Sequence, residues 1–131
     1  MKIVLQARLV SYALFVGHVY WGAGYLLGPP RIYSSGSYRV VMSWLTAHTW
    51  GWLFVACAIG CLLTPTVPRA LSAAVHGFAA AVLLTFAAGL GAAQVVGTSQ
   101  GWGGPVLFLG PAVFHVLIVR ARYQRPKVVR P

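Results

Sequence analysis

Four long apolar runs constrain this chain more than any other feature. They cover residues 9–28, 40–63, 70–97 and 105–119. Each comes close to the roughly 20 residues that a helix needs to cross a bilayer. Membrane strands alternate polar and apolar residues over about ten positions. These runs are continuously apolar and longer, so the sequence predicts helices. The links between them are short: 31–39 is polar and rich in serine, 65–69 carries two prolines, and 98–104 is rich in glycine. Short links favour antiparallel neighbours. The expected fold is therefore all-α, a single four-helix transmembrane bundle running up-down-up-down through one integral membrane domain, residues 1–131. The first run is too long for a signal-peptide core and continues into Gly28-Pro29-Pro30 without an obvious cleavage site. Pro111 is expected to kink the last helix.

Composition agrees with a lipid environment. Hydrophobic residues make up 59% of the chain and charged residues 8%, against about 45–50% and about 25% in soluble domains. The chain has ten Lys or Arg and no Asp or Glu, for a net charge of +10. A basic excess invites a nucleic-acid reading, but the cations sit at the ends of apolar runs and in the basic tail 120–131, so no nucleic-acid partner is expected. With both termini in the cytoplasm, eight basic residues lie inside and two, Arg31 and Arg39, outside. The positive-inside rule therefore predicts N-in/C-in in the cytoplasmic membrane. Tyr20, Trp21, Tyr25, Tyr33 and Trp102 are expected to form an aromatic belt at the outer interface.

The missing carboxylates exclude whole classes of chemistry. Paired-carboxylate glycoside hydrolysis, a Ser-His-Asp triad, carboxylate cages for Ca²⁺ or Mg²⁺ and Asp/Glu proton relays all lack their parts. A catalytic site of the chain's own is not expected. Cys57 and Cys61 lie four apart on one helix face, where regular helix geometry does not permit a disulfide. They read as buried small apolar residues.

The candidate site residues are His18, His48, His76 and His115, one per run. Ionisable residues inside a membrane are rare and mark function. Counting about 1.5 Å per residue places His18 and His48 near one depth and His76 and His115 near another. Neutral imidazole binds Fe, Cu or Zn, so two histidine pairs raise the prospect of haem b in a redox subunit, a layout shared with membrane cytochromes b. The competing reading gives each histidine a backbone carbonyl or a Ser or Thr partner across helices. Trp44, His48 and Trp52 form an i, i+4, i+8 stripe read as core or lipid contact.

Small residues are the remaining signal. Ala70, Ala73, Ala74, Gly77, Ala80, Ala81, Ala88 and Gly89 give the third run a nearly flat face, and Gly24 and Gly28 are four apart in the first. Such faces permit close approach within a chain or between copies. In size, tight turns, short basic tail and Ala/Gly-rich helices such as 70–91, the chain resembles the small polytopic membrane proteins of actinobacteria and their phages, including holins. That resemblance implies self-association in the cytoplasmic membrane and permeabilisation, with the lipid bilayer and other membrane proteins as partners. A non-catalytic accessory subunit of a larger membrane complex is the third expectation.

Overall fold

A computed structural model describes residues 2–29, 35–97 and 103–123. Five helices follow one another: α1 Lys2–Leu27, α2 Gly36–Trp44, α3 Ala47–Leu63, α4 Arg69–Val95 and α5 Gly103–Tyr123. All described regular structure is helical. α4 and α5 are long and apolar enough to cross a membrane, and α2 with α3 makes a third candidate if the bent pair is one span. α1 has 26 residues, about 39 Å at the usual rise. Ser11, Tyr12, His18, Tyr20, Trp21 and Tyr25 dilute its apolar character, and it falls outside that set.

The expected second helix, 40–63, is broken. Leu45 and Thr46 are both extended, and the axes of α2 and α3 diverge by 77°. Thr46 causes the restart. Its hydroxyl oxygen accepts from the Thr49 backbone N–H at 3.2 Å, satisfying one of the donors that a helix N-terminus leaves bare. The bend is held from within. Trp50, 1% exposed, donates its indole N–H to the Val41 carbonyl at 3.2 Å, so α3 grips the last turn of α2. The break separates Trp44 from His48, and the expected three-residue stripe does not form on one helix.

Other boundaries shift less. α1 begins at Lys2 rather than residue 9, and part of the expected loop 31–39 belongs to α2. α3 stops at Thr64, whose hydroxyl donates to the Cys61 carbonyl at 2.8 Å, as that of Thr66 does to Leu63. α4 ends before Gly97, whose φ of 71° suits glycine at a helix stop. Pro111 lies inside an α5 that remains one helix.

The four long helices pack antiparallel in sequence. Leu26 and Gly22 meet Gly51, while Leu14 shares a cluster with Cys61, so α1 and α3 run in opposite directions. α3 and α4 are paired through Gly60 with Val75 and Phe54 with Phe86. α4 and α5 are paired through His76 with His115 and Phe86 with Phe108. α1 and α3 approach closely. A methyl at Gly22 would stand 3.2 Å from the Gly51 carbonyl oxygen and 3.3 Å from the Val55 nitrogen.

The core is aromatic. Phe54 is fully buried, with Tyr25 stacked at 5.7 Å, Phe108 at 6.0 Å and Phe86 edge-on at 5.5 Å. Tyr25 is therefore a core residue and not part of an interfacial belt. Trp21 is half-buried, Tyr20 is exposed, and Tyr33 and Trp102 lie outside the described residues. The outer surface is aliphatic and aromatic, with Val16, Ile59, Leu62, Phe78, Leu107, Val113 and Phe114 exposed. In water this would be an aggregating patch; in lipid it is a solvated one.

The Gly22 contact yields a direct test. Gly22→Ala should destabilise the detergent-solubilised protein by about 1–3 kcal/mol, the usual cost of overpacking. Gly24→Ala, where an added methyl meets nothing within 4 Å, should not. Midpoints of denaturant or thermal unfolding measure both, and equal losses would refute the proposed register.

Candidate metal centre

Each long helix carries one fully buried metal-ligating side chain, and those of α1, α3 and α5 converge. His18 comes from α1, Cys61 from α3, His76 from α4 and His115 from α5, and each is 0% exposed. The register explains the meeting. With Gly22 seated on Gly51, the antiparallel α1–α3 pair brings the Leu14 to His18 stretch alongside Cys61. One ligand atom each from His18, Cys61 and His115 lies within 4.8 Å of the other two.

Hydrogen bonds decide which atoms face the centre. His18 Nδ1 lies 2.7 Å from the Leu14 carbonyl oxygen. A carbonyl only accepts, so Nδ1 carries the proton and Nε2 the lone pair. His18 Nε2 is buried and has no hydrogen-bond partner. Metal-bound histidines commonly show this arrangement, with the far N–H donated to a carbonyl. His76 and His115 share a hydrogen bond between their Nδ1 atoms at 2.8 Å. One of the two donates, and both Nε2 atoms are buried without partners. If His115 donates, its Nε2 bears a lone pair beside that of His18. Ser72, one turn before His76 on α4, adds a buried hydroxyl oxygen also without a partner.

Orphaned buried polar atoms are uncommon, because each forfeits its hydration. With His115 as the donor, the Nε2 lone pairs of His18 and His115, next to a fully buried thiol, are accounted for together by a bound ion, while the His76 Nε2 carries that ring's proton. Around an ion with bonds of about 2.0–2.3 Å, such donors sit about 3.3–3.7 Å apart, so the group needs to contract by only about 1 Å.

Haem fits less well. Axial imidazoles stand on opposite faces of a macrocycle, but His76 and His115 touch directly. His18 meets His115 edge-on, with ring centroids 5.2 Å apart and planes at 82°. No slot separates them. The described cavities lie elsewhere. One of about 300 Å³ lies between α1 and α3 along Val19, Val55 and Ile59, and one of about 410 Å³ is lined by Tyr20, Trp21, Tyr25 and Tyr38. None of the histidines lines either.

Sequence reading placed the four histidines in two pairs by depth. The structure unites His18, His76 and His115 instead and leaves His48 exposed in the first turn of α3. Depth was counted along straight helices from the ends of the apolar runs, but α1 starts seven residues earlier than its run and the second helix is broken. Cys61 was read only as a small apolar residue. Its signal was faint: a soft ligand on a helix facing three others that each carry a buried imidazole. Cys57, one turn earlier, is buried in the aromatic cluster and lies outside the ligand group. Both cysteines are free thiols.

Compared with protein-family models, curated proteins and solved structures, the chain matches none. Its chemistry therefore has to be argued from the centre itself.

Proposed function

We propose that this chain is a small multi-pass protein of the cytoplasmic membrane that holds one transition-metal ion between His18, Cys61 and His115. The observation that carries the reading is the convergence of those three donors from three helices, with the Nε2 atoms of His18 and His115 buried and unpartnered. Imidazole and thiolate together suit borderline and soft ions. His76 acts as a positioning residue, holding the His115 ring through the 2.8 Å bond. In this reading all four long helices, α1, α3 with α2, α4 and α5, cross the bilayer. The basic residues at the N-terminus and in 120–131 keep both ends inside, as the positive-inside rule directs.

Purified protein exposed to Zn²⁺, Co²⁺ and Cu⁺ together should retain one ion per chain after removal of the excess. Elemental analysis reads the ratio. Cys61→Ser and His115→Ala should abolish retention and His48→Ala should leave it intact. His76→Ala should weaken binding by roughly 10–100-fold, as loss of an orienting partner does. Retention unaffected by Cys61→Ser and His115→Ala would remove the reading. A reporter enzyme fused after Pro131 should be active only in its cytoplasmic form; activity of an exported reporter there would reverse the orientation.

One observation favours a second reading, holin-like assembly. Ala70, Ala74, Gly77, Ala81 and Ala88 on α4 are all exposed and fall three, four or seven apart, giving a smooth outer strip on which a second copy can pack. Induction in a bacterium should then collapse the membrane potential abruptly. Harmless accumulation at high level would discard permeabilisation and leave the metal centre untouched.

A further inference from the structure

Resting on the metal-centre reading, we infer that the ion is monovalent and soft, copper(I), and that the centre discriminates against divalent ions by charge. The argument begins with what the chain lacks. No Asp or Glu occurs anywhere in it. A bound ion must therefore be neutralised by thiolate, and the ligand group contains one thiol, Cys61. When an ion binds, the Cys61 S–H bond breaks, the proton leaves to solvent and the sulfur–metal bond forms. No electron is transferred. With two neutral imidazoles, Cu⁺ and one thiolate sum to zero. Zn²⁺ or Cu²⁺ with the same ligands leaves one uncompensated positive charge.

That residual charge would be costly where it sits. His18, Cys61, His76 and His115 are all 0% exposed. Leu14, Ile118 and Phe54 surround them. Burying an unpaired charge in such surroundings is strongly unfavourable. The groups facing the centre supply no remedy. His76 is neutral or positive, Ser72 is neutral, and the described cations on α5, Arg120 and Arg122, lie five and seven residues beyond His115 and can only add repulsion. Cys57, the one other thiol, packs with Trp50 and Phe54 in the aromatic cluster.

Coordination number points the same way. Zn²⁺ in structural sites takes four protein ligands in a tetrahedron. Here, among the described residues, the group has three members, and His76, accepting at Nδ1 from His115, carries its proton on Nε2 and offers no lone pair. Three donors, one of them sulfur, suit a soft ion at low coordination. Met42, the one described methionine, packs against the aromatic cluster and is not a further ligand.

The test uses the full chain in nanodiscs of uncharged phosphatidylcholine, kept anaerobic. Cu⁺ is titrated against a colorimetric Cu⁺ chelator, Ag⁺ serves as a redox-inert monovalent probe, and Zn²⁺ is titrated against a zinc indicator. Cu⁺ and Ag⁺ should each bind one per chain, and excess Zn²⁺ should not displace them. Cys61→Ser should weaken Cu⁺ binding by more than the roughly 10–100-fold that loss of an outer-shell partner causes; Cys57→Ala should change nothing. Charge itself is tested by His115→Cys, checked for intact helix content. Its second thiolate should shift preference from Cu⁺ toward Zn²⁺, because Zn²⁺ with two thiolates is neutral. Tight one-to-one Zn²⁺ binding to the unaltered chain, undisplaced by Cu⁺, would overturn the charge argument while leaving the site in place. Failure of every ion to bind would overturn both.

Discussion

A ring nitrogen buried in hydrocarbon has no water to satisfy it, and the arrangement of this bundle turns on how that deficit is met. Three of the four long helices each carry a fully buried imidazole and the fourth a fully buried thiol, and those of His18, Cys61 and His115 converge. Two hydrogen bonds are made within the chain: His18 donates to the Leu14 carbonyl, and His76 bonds His115. What remains is a set of buried Nε2 atoms without hydrogen-bond partners beside a buried thiol, in a sequence with no Asp or Glu. Polar side chains between helices in apolar surroundings contribute modestly, about 0.6 kcal/mol on average. Packing of the aromatic layer around Phe54 and Phe86, rather than the histidines, therefore accounts for most of the bundle's cohesion. On the proposed reading, the histidines are a binding device that the packing holds in place.

The two layers depend on each other through helix register. Gly22 against Gly51 lets α1 and α3 approach closely, and that contact fixes how far His18 lies along α3 from Cys61. Phe86 against Phe108 does the same for α4 and α5, with His76 and His115 ten and seven residues along from them. Trp21 and Phe54 touch both layers, since each packs against the His18 ring. A shift of one turn in either hairpin would scatter the ligands by about 5 Å and dismantle the centre without unfolding a helix.

Much of this was legible in the residues and some was not. Long apolar runs ended by proline and glycine gave the helices, because backbone groups in such runs have no better partner than each other. The break at Leu45–Thr46 was hidden, since no Pro or Gly marks it and the apolar pattern continues across it; only the Thr46 and Thr49 pair hints at a cap. The three buried histidines and exposed His48 look alike in sequence, because burial depends on the bend that exposes the start of α3. Tyr25 resembled an interfacial aromatic and is instead a core stack on Phe54. Nothing local distinguishes Cys61 from a small apolar residue; its candidacy as a ligand rests only on the histidines that α1 and α5 bring to it.

X-ray absorption at the metal edge of the copper-loaded, membrane-embedded chain tests the central claim most directly. The account predicts a first shell of one sulfur at about 2.2–2.3 Å and two imidazole nitrogens at about 2.0 Å, distances typical of such ligands. A shell made only of nitrogen and oxygen, or one unchanged in Cys61→Ser, would contradict it.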